Sequence, residues 1–150
     1  MMKIALGNDH AAIELKNTVK EYLESLGNEV VDLGANENKG ISYTVFGEAV
    51  ADKVVAKEVD FGVLICGTGV GISIAANKVP GIRAAVCSDP TTARLVKQHN
   101  NANIIAFGAR IVGSEAAKDI LDAYMNAEFE GGRHQDRIDL ITEIENKHSK

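Results

Sequence analysis

The sequence predicts an α/β protein built on a doubly wound parallel sheet of five strands, with one extra helix at its C-terminal end. Five short apolar segments alternate along the chain with segments whose apolar residues recur at helical spacing. One of them, residues 61–65, is continuous and contains β-branched side chains, as in strands that are buried on both faces of a parallel sheet. Because repeated strand-then-helix units form parallel sheets through right-handed crossovers, the predicted fold is Rossmann-like.

Turn and cap residues mark where the predicted elements begin and end. Gly27 is placed to stop the first helix, with Leu26 predicted on its inner face, and Pro90 opens the fourth helix, where its missing N–H costs little. Ser114 is the predicted N-cap of the fifth helix. The last helix lies outside the alternation, so we expect it to pack on a neighbouring subunit. The predicted strands are residues 3–7, 29–33, 61–65, 82–87 and 103–108, and the predicted helices are residues 11–26, 43–57, about 71–79, about 88–99, 114–129 and 133 toward Lys150.

Composition limits the kinds of protein this chain can be. A length of 150 residues with 45% hydrophobic content suits one domain over residues 1–150. The net charge of −5 argues against a nucleic-acid partner, although a few clustered basic side chains would still hold a small anion. Residues 1–12 resemble neither a signal peptide nor a membrane span, so we expect a cytoplasmic protein without a membrane partner. The cysteines and histidines lack the spacing of a structural zinc site, so no metal is expected.

A glycine-rich turn follows the central apolar strand. Gly67, Gly69 and Gly71 alternate with larger residues, which allows positive φ angles and brings several backbone N–H groups toward one ligand. The turn is not a Walker A loop, because no Lys-Ser/Thr pair follows it, and its third glycine comes one residue early for a dinucleotide fingerprint. A nucleotide-binding module that uses this loop and Asp89 therefore stays open as one alternative, beside a cradle for another anion.

Polar residues stand at the ends of the apolar strands, where open α/β folds bind their ligands. Cys66 meets the glycine turn and a predicted helix N-terminus, and both favour the thiolate form of a cysteine. Cys87 ends the next strand without such neighbours and is interpreted as packing. Asp9 is either a helix N-cap or a functional carboxylate. The other polar residues at these ends are His10, Ser88 and Arg110.

A second polar cluster lies in the last third of the chain. Arg133 and Arg137 are four residues apart, so at the start of a helix they share a face and can hold one anion together. A solvated basic turn is the alternative. His99, at a predicted helix end, is either a C-terminal cap or a functional imidazole.

Four motifs resemble the ribose-5-phosphate isomerase type B family. They match in order and spacing over nearly the whole chain, and the long central block is highly specific. The wider family includes galactose-6-phosphate isomerase subunits and allose-6-phosphate isomerases. The resemblance therefore implies the fold and the type of reaction more firmly than the identity of the sugar. The motifs are Gly7-Asn-Asp-His10, residues 66–85, His99-Asn-Asn-Ala-Asn103 and Gly131-Gly-Arg-His134.

The resemblance implies an aldose–ketose isomerase of the pentose phosphate pathway that acts on ribose 5-phosphate through an enediolate, without a metal or organic cofactor. A six-carbon sugar phosphate, of allose or galactose, is the alternative substrate. The resemblance also implies a homodimer or homotetramer with shared active sites, in which His99, Asn100 and the two arginines come from the partner. The implied catalytic residues are Cys66 as base, Thr68, His99 and Asp9, and the implied substrate-binding residues are His10, Tyr43, Gly67, Gly69, Val70, Gly71, Asn100, Arg110, Arg133 and Arg137.

The chain departs from the family pattern around Tyr43. The family usually has Asp-Tyr-Pro-Asp there, whereas this chain has Ser42-Tyr-Thr-Val45. The tyrosine is kept, but the loop that presents it lacks the proline and both carboxylates. Asn8 also stands where serine is frequent. The departure bears on the preferred sugar more than on the reaction.

Overall fold

The computed structural model describes residues 1–149, and its centre is a five-stranded sheet. Lys150, toward which the last helix was predicted to run, lies outside the described residues. All neighbouring strands pair in parallel, in the order β2-β1-β3-β5-β4, which confirms the predicted α/β architecture. The strands are β1 (Lys3–Asn8), β2 (Glu29–Asp32), β3 (Phe61–Cys66), β4 (Ala84–Val86) and β5 (Ile104–Gly108).

Helices cover both faces of the sheet. One face is packed by α1, α4 and α5, and the other by α2 and α3. A short 3₁₀ turn, His10–Ala12, precedes the first helix. The helices are α1 (Ile13–Ser25), α2 (Tyr43–Val55), α3 (Val70–Ala76), α4 (Pro90–Gln98), α5 (Ser114–Met125) and α6 (Arg133–His148).

The central strand β3 contributes to both cores. All six of its residues are buried. Val63 and Ile65 point into the core under α1 and α5, whereas Leu64 and Cys66 point into the core under α2 and α3. Because successive side chains of a strand alternate between faces, a strand covered on both faces must be apolar throughout. This explains why its sequence shows no polar alternation, and it fixes Cys66 at the edge of the α2/α3 core.

Some predicted boundaries were wrong. Ser114 is the first residue of α5 and not its cap; Gly113 holds the N-cap position, where no side-chain bond is possible. Leu26 is 51% exposed, because it lies past the last turn of α1, where the chain leaves the helical period before Gly27 turns it at φ +89°. Helix α5 ends at Met125 and not at 129, and strand β4 is shorter than the predicted 82–87.

The C-terminal helix α6 lies outside both cores. Only His134 and Ile138 of its described residues are buried, and the Glu145 carboxylate accepts a hydrogen bond from the Gly81 N–H at 3.1 Å. Leu140, Ile141 and Ile144 are exposed. Packing of this face on a second subunit stays a prediction. None of the helices within residues 1–149 is long and apolar enough to cross a membrane.

Candidate active site

Strands β1 and β3 are neighbours, and their register brings two of the predicted motifs together. Asn8 pairs with Ile65, so Asp9 follows β1 beside Cys66 at the end of β3. The Asp9 N–H donates to the Ile65 carbonyl at 3.3 Å, and the Asp9 Oδ1 accepts from the Ala11 N–H at 3.0 Å. Asp9 therefore caps the 3₁₀ turn, and it follows β1 at the same edge of the sheet where Cys66 ends β3.

The glycine turn folds back on the thiol of Cys66. The backbone N–H of Gly69 donates to Cys66 Sγ at 3.1 Å in buried surroundings. Gly69 has φ +83°, and a Cβ there would lie 2.7 Å from the Phe107 backbone, so only glycine fits. A hydrogen bond from an N–H to sulfur stabilises negative charge on the sulfur. The loop thus contributes one donor to the thiol itself.

The rest of the turn presents polar groups outward. Thr68 is exposed, and its Oγ1 accepts from the Val70 N–H at 3.2 Å, which leaves the hydroxyl proton free to donate away from the loop. The next two N–H groups, of Gly71 and Ile72, lie in the first turn of α3 and have no intrahelical acceptor. Of the loop donors expected to face a substrate, those of Gly69 and Val70 therefore already have partners within the loop.

Tyr43 and Arg110 frame this loop. A Cβ on Gly71 would meet the Tyr43 ring at 2.8 Å, so the exposed tyrosine at the start of α2 lies directly over the turn. Arg110 is exposed, and its backbone N–H donates to the Gly67 carbonyl at 3.0 Å. Its guanidinium lies close to the Gly67 Cα. We call this group the thiol site; its members are Asp9, His10, Tyr43, residues 66–71 and Arg110.

The second cysteine has different surroundings. Cys87 is fully buried, and its Sγ faces the Ala85 carbonyl at 3.7 Å. Burial, with a smaller contribution from the charge of Asp89, raises the pKa of Cys87 to about 12. A thiol that stays protonated at neutral pH is neither a base nor a nucleophile. This is consistent with its interpretation as packing.

Asp89 is occupied as a helix cap. Its Oδ1 accepts from the Thr92 N–H at 2.7 Å, and this bond lowers the pKa of the carboxyl group. Asp89 also follows β4, the edge strand, which β5 separates from β3. Both facts weaken the nucleotide-binding alternative, which needed Asp89 beside the glycine turn.

A cavity of about 210 Å³ opens next to His10, and a buried lysine supports its wall. Lys16 is fully buried, and its Nζ binds the Asp32 carboxylate at 2.9 Å, the Ala35 carbonyl at 3.1 Å and Asn36 Oδ1 at 2.7 Å. Sequence reasoning missed Lys16. The available signal was its place on the apolar stripe of α1, three and seven residues before the buried Val19 and Leu23.

The remaining predicted site residues lie at the opposite edge of the sheet. Asn100 precedes β5, and its carbonyl accepts from Arg83 Nε, just before β4, at 3.1 Å. His99, Asn100 and the start of α6 therefore sit at the amino edge, whereas Cys66 sits at the carboxyl edge. A five-residue strand separates the two edges by roughly 15 Å. Within one chain, the structure does not bring His99 together with Cys66.

His99 has neighbours of its own at the amino edge. Its ring stacks on that of His134, and the Glu130 carboxylate lies near both rings. We call these three residues the imidazole cluster. Sequence reasoning missed Glu130 and the burial of His134, because the contact joins segments about 30 residues apart and has no local spacing pattern.

A doubly wound α/β enzyme, with a thiol and a glycine turn at the carboxyl end of its central strand, is the class that this fold and site define. The chain belongs to the Ribose/Galactose Isomerase family, whose model matches residues 4–141. This confirms the resemblance inferred from the motifs.

Individual relatives cover essentially the whole chain. Ribose-5-phosphate isomerase B of Escherichia coli is 52% identical over 98% of this chain and 99% of that protein. The structure of ribose-5-phosphate isomerase B from Clostridium thermocellum matches with a TM-score of 0.97 at 51% identity, over 99% of this chain and 100% of that one. The enzyme from Mycoplasma genitalium with bound ribulose 5-phosphate matches with a TM-score of 0.91 at 42% identity, over 98% and 97% of the two chains.

Proposed function

We propose that this protein interconverts ribose 5-phosphate and ribulose 5-phosphate through an enediolate, with Cys66 as the base. The observation that carries the proposal is the hydrogen bond from the Gly69 N–H to Cys66 Sγ at 3.1 Å. This bond supports the proposal because it supplies a donor to a sulfur at the carboxyl end of the central strand, in a chain of the Ribose/Galactose Isomerase family. The named relatives support the five-carbon substrate.

Cys66 and the glycine turn would carry out the proton transfer. The thiolate takes the proton from C2 of the open-chain aldose, and the electron pair moves to the carbonyl oxygen O1. The resulting enediolate is stabilised by preorganised donors, which include the N–H groups of Gly71 and Ile72 in the first turn of α3. The thiol then returns the proton to C1, while the Thr68 hydroxyl moves a proton between O1 and O2. Thr68 suits this role because its Oγ1 already accepts the Val70 N–H and its proton is free.

Ring opening needs a general acid and a general base, and we assign these two groups to different subunits. Asp9 supplies a carboxylate beside Cys66, and the partner subunit's His99 would supply the imidazole. The separation of the two sheet edges supports this arrangement, because His99 of the same chain lies at the far edge. We therefore place each active site between two subunits of a homodimer or homotetramer.

The substrate phosphate would bind to basic side chains from both edges. His10 and Arg110 lie at the thiol site, and Arg133 and Arg137 lie on the first turns of α6, exposed and on one helix face. Tyr43, over the glycine turn, and Asn100 would contact the sugar hydroxyls. The mechanism needs no metal or organic cofactor, and we place the protein in the cytoplasm.

A six-carbon sugar phosphate is the second candidate substrate. The observation that favours it is the changed sequence around Tyr43. In the structure, Ser42 caps α2 by accepting from the Thr44 N–H at 3.2 Å, and Val45 is exposed where the usual pattern has a carboxylate. The surface beside the tyrosine is therefore less acidic and offers different contacts to the sugar hydroxyls. Whether a five-carbon or a six-carbon sugar phosphate is preferred must be measured.

The test is a comparison of kcat/KM for ribose 5-phosphate, allose 6-phosphate and galactose 6-phosphate, together with a titration with nucleotides. We expect ribose 5-phosphate to have the highest kcat/KM. A higher value for either six-carbon sugar would move the assignment to that substrate. If no aldose phosphate forms a ketose and a nucleotide binds tightly, the isomerase proposal is wrong.

A further inference from the structure

The imidazole cluster holds one exposed ring against one buried ring. The ring centroids of His99 and His134 are 4.4 Å apart with an interplanar angle of 11°. The His134 side chain is 8% exposed, whereas that of His99 is 39% exposed. Glu130 Oε1 lies 3.4 Å from His134 Nε2 and 3.8 Å from His99 Nε2. The buried imidazole is thus a platform for the one that faces solvent.

The backbone fixes this platform at the end of α4. The Glu130 N–H donates to the Gln98 carbonyl at 3.0 Å, which ties the segment before α6 to the residue preceding His99. The His134 N–H donates to the Gly131 carbonyl at 3.0 Å and closes the first turn of α6. Two separate segments therefore converge on one ring.

Two histidines and a carboxylate within 4.8 Å of one another also suggest a metal site. The ring geometry argues against it. An imidazole nitrogen binds a metal through a lone pair in the plane of its ring, and the planes of these two rings are nearly parallel. One ion cannot lie in both planes, so the arrangement suits ring stacking and not joint coordination.

We propose that His134 and Glu130 are positioning residues that set the orientation of His99 for opening the sugar ring at the partner's thiol site. This inference rests on the proposed isomerase function. Stacking on the buried His134 fixes the plane of the His99 ring. The Glu130 carboxylate lies 3.8 Å from His99 Nε2 and limits how far that ring can turn within its plane. Neither positioning residue touches the substrate.

The chemistry of the two substrates separates this role from general structural damage. Ribose 5-phosphate is a cyclic hemiacetal and must open before C2 loses its proton. Ribulose 5-phosphate carries its phosphate on the oxygen that would close a five-membered ring, so it is an open chain. Exchange of a C1 proton of ribulose 5-phosphate with solvent needs Cys66 and the enediolate but no ring opening. A misplaced His99 should therefore slow the isomerisation of ribose 5-phosphate and leave proton exchange at C1 of ribulose 5-phosphate unchanged.

The experiment compares His134→Ala, His134→Phe and Glu130→Gln with the wild type and with His148→Ala, an exposed histidine on the same helix. For each variant, two quantities are measured: kcat and KM with ribose 5-phosphate, and the initial rate of deuterium uptake at C1 of ribulose 5-phosphate in D₂O. Thermal unfolding of each variant reports whether the fold is intact. Wild-type protein that makes no ribulose 5-phosphate would defeat the proposed function itself, before any variant is compared.

We expect His134→Ala to lower kcat with ribose 5-phosphate by about tenfold or more, because a misoriented group loses much of its catalytic advantage. KM and deuterium uptake should stay near the wild-type values. His134→Phe should recover part of kcat, since it keeps a flat ring under His99, and Glu130→Gln should lower kcat. The inference is overturned if kcat is unchanged in His134→Ala, if turnover and deuterium uptake fall together, or if Phe is no better than Ala.

Discussion

The Gly69 N–H donates to Cys66 Sγ at 3.1 Å, and this contact distinguishes the two buried cysteines of the chain. The sulfur of Cys66 accepts a hydrogen bond from a backbone N–H of the glycine turn. Cys87 instead faces the Ala85 carbonyl, and burial raises the pKa of its thiol to about 12. Two cysteines at similar strand ends therefore differ in the backbone group that faces the sulfur, an N–H for Cys66 and a carbonyl for Cys87.

Replacing Cys66 with serine should remove turnover and leave the fold intact. A hydroxyl is too weak an acid to supply the base, so kcat should fall by about 10³-fold or more, at the upper range for removing a general base. Steady-state kinetics with ribose 5-phosphate measure the loss. Cys87→Ser is the matched control and should keep near-normal turnover. Comparable activity in both variants would place the base elsewhere.

Gly69→Ala should damage both the turn and the reaction. The new Cβ would lie 2.7 Å from the Phe107 backbone, and φ +83° is strained for alanine, so the free energy of unfolding should fall by roughly 1–3 kcal/mol. Denaturant unfolding measures this loss, and kcat should fall because the donor to Sγ moves. Gly113→Ala is the control, since no atom lies within 4 Å of its added Cβ. Equal stability of the two variants would contradict the tight fit described for Gly69.

The sequence predicts the sheet well because each strand is recognised from its own consecutive residues. Each strand is a run of apolar residues, and β3 is apolar throughout because both of its faces are covered. The place of Cys66 between an apolar strand and a glycine turn was predictable for the same reason, since strand, turn and helix are contiguous in the chain. The predicted cap of α5 was wrong by one residue, because the helix already begins at Ser114 and Gly113 holds the cap position.

Contacts between distant segments were not predictable in this way. The stacking of His99 on His134 depends on how the end of α4 meets the start of α6. The hydrogen bonds of Lys16 depend on the end of β2 and the loop that follows it, 16 to 20 residues away. The sequence around His99 or Lys16 contains no local pattern that predicts which residue it contacts. The place of Lys16 on an apolar stripe does mark it as unusual.

Lys16→Met should destabilise the protein, because it removes the cation from the partly buried Asp32 carboxylate. Breaking one side of such a pair costs roughly 3–5 kcal/mol in the free energy of unfolding, and the partial exposure of Asp32 favours the lower end. Urea unfolding measures the loss. Lys53→Met, which breaks the exposed pair with Glu58, should cost much less. Similar losses would show that burial does not set the contribution of Lys16.

Arg137→Ala should chiefly weaken substrate binding. Arg137 is exposed, away from the reacting carbons in the proposed arrangement, so its loss should raise KM for ribose 5-phosphate by about tenfold while kcat changes little. The control is Arg94→Ala, an exposed arginine on α4 that bonds Gln98. An unchanged KM in Arg137→Ala would remove this arginine from the phosphate site.

Mixing two inactive variants should restore activity if each site combines two subunits. Cys66→Ser keeps His99, and His99→Asn keeps Cys66, so a mixed dimer has one site with both groups intact. Random reassembly after unfolding and refolding should recover about one quarter of wild-type turnover, because half of the dimers are mixed and each has one working site. Each variant refolded alone is the control. No recovery, with mixed dimers verified by mass, would mean that Cys66 and His99 serve the same chain, against the separation of the two sheet edges.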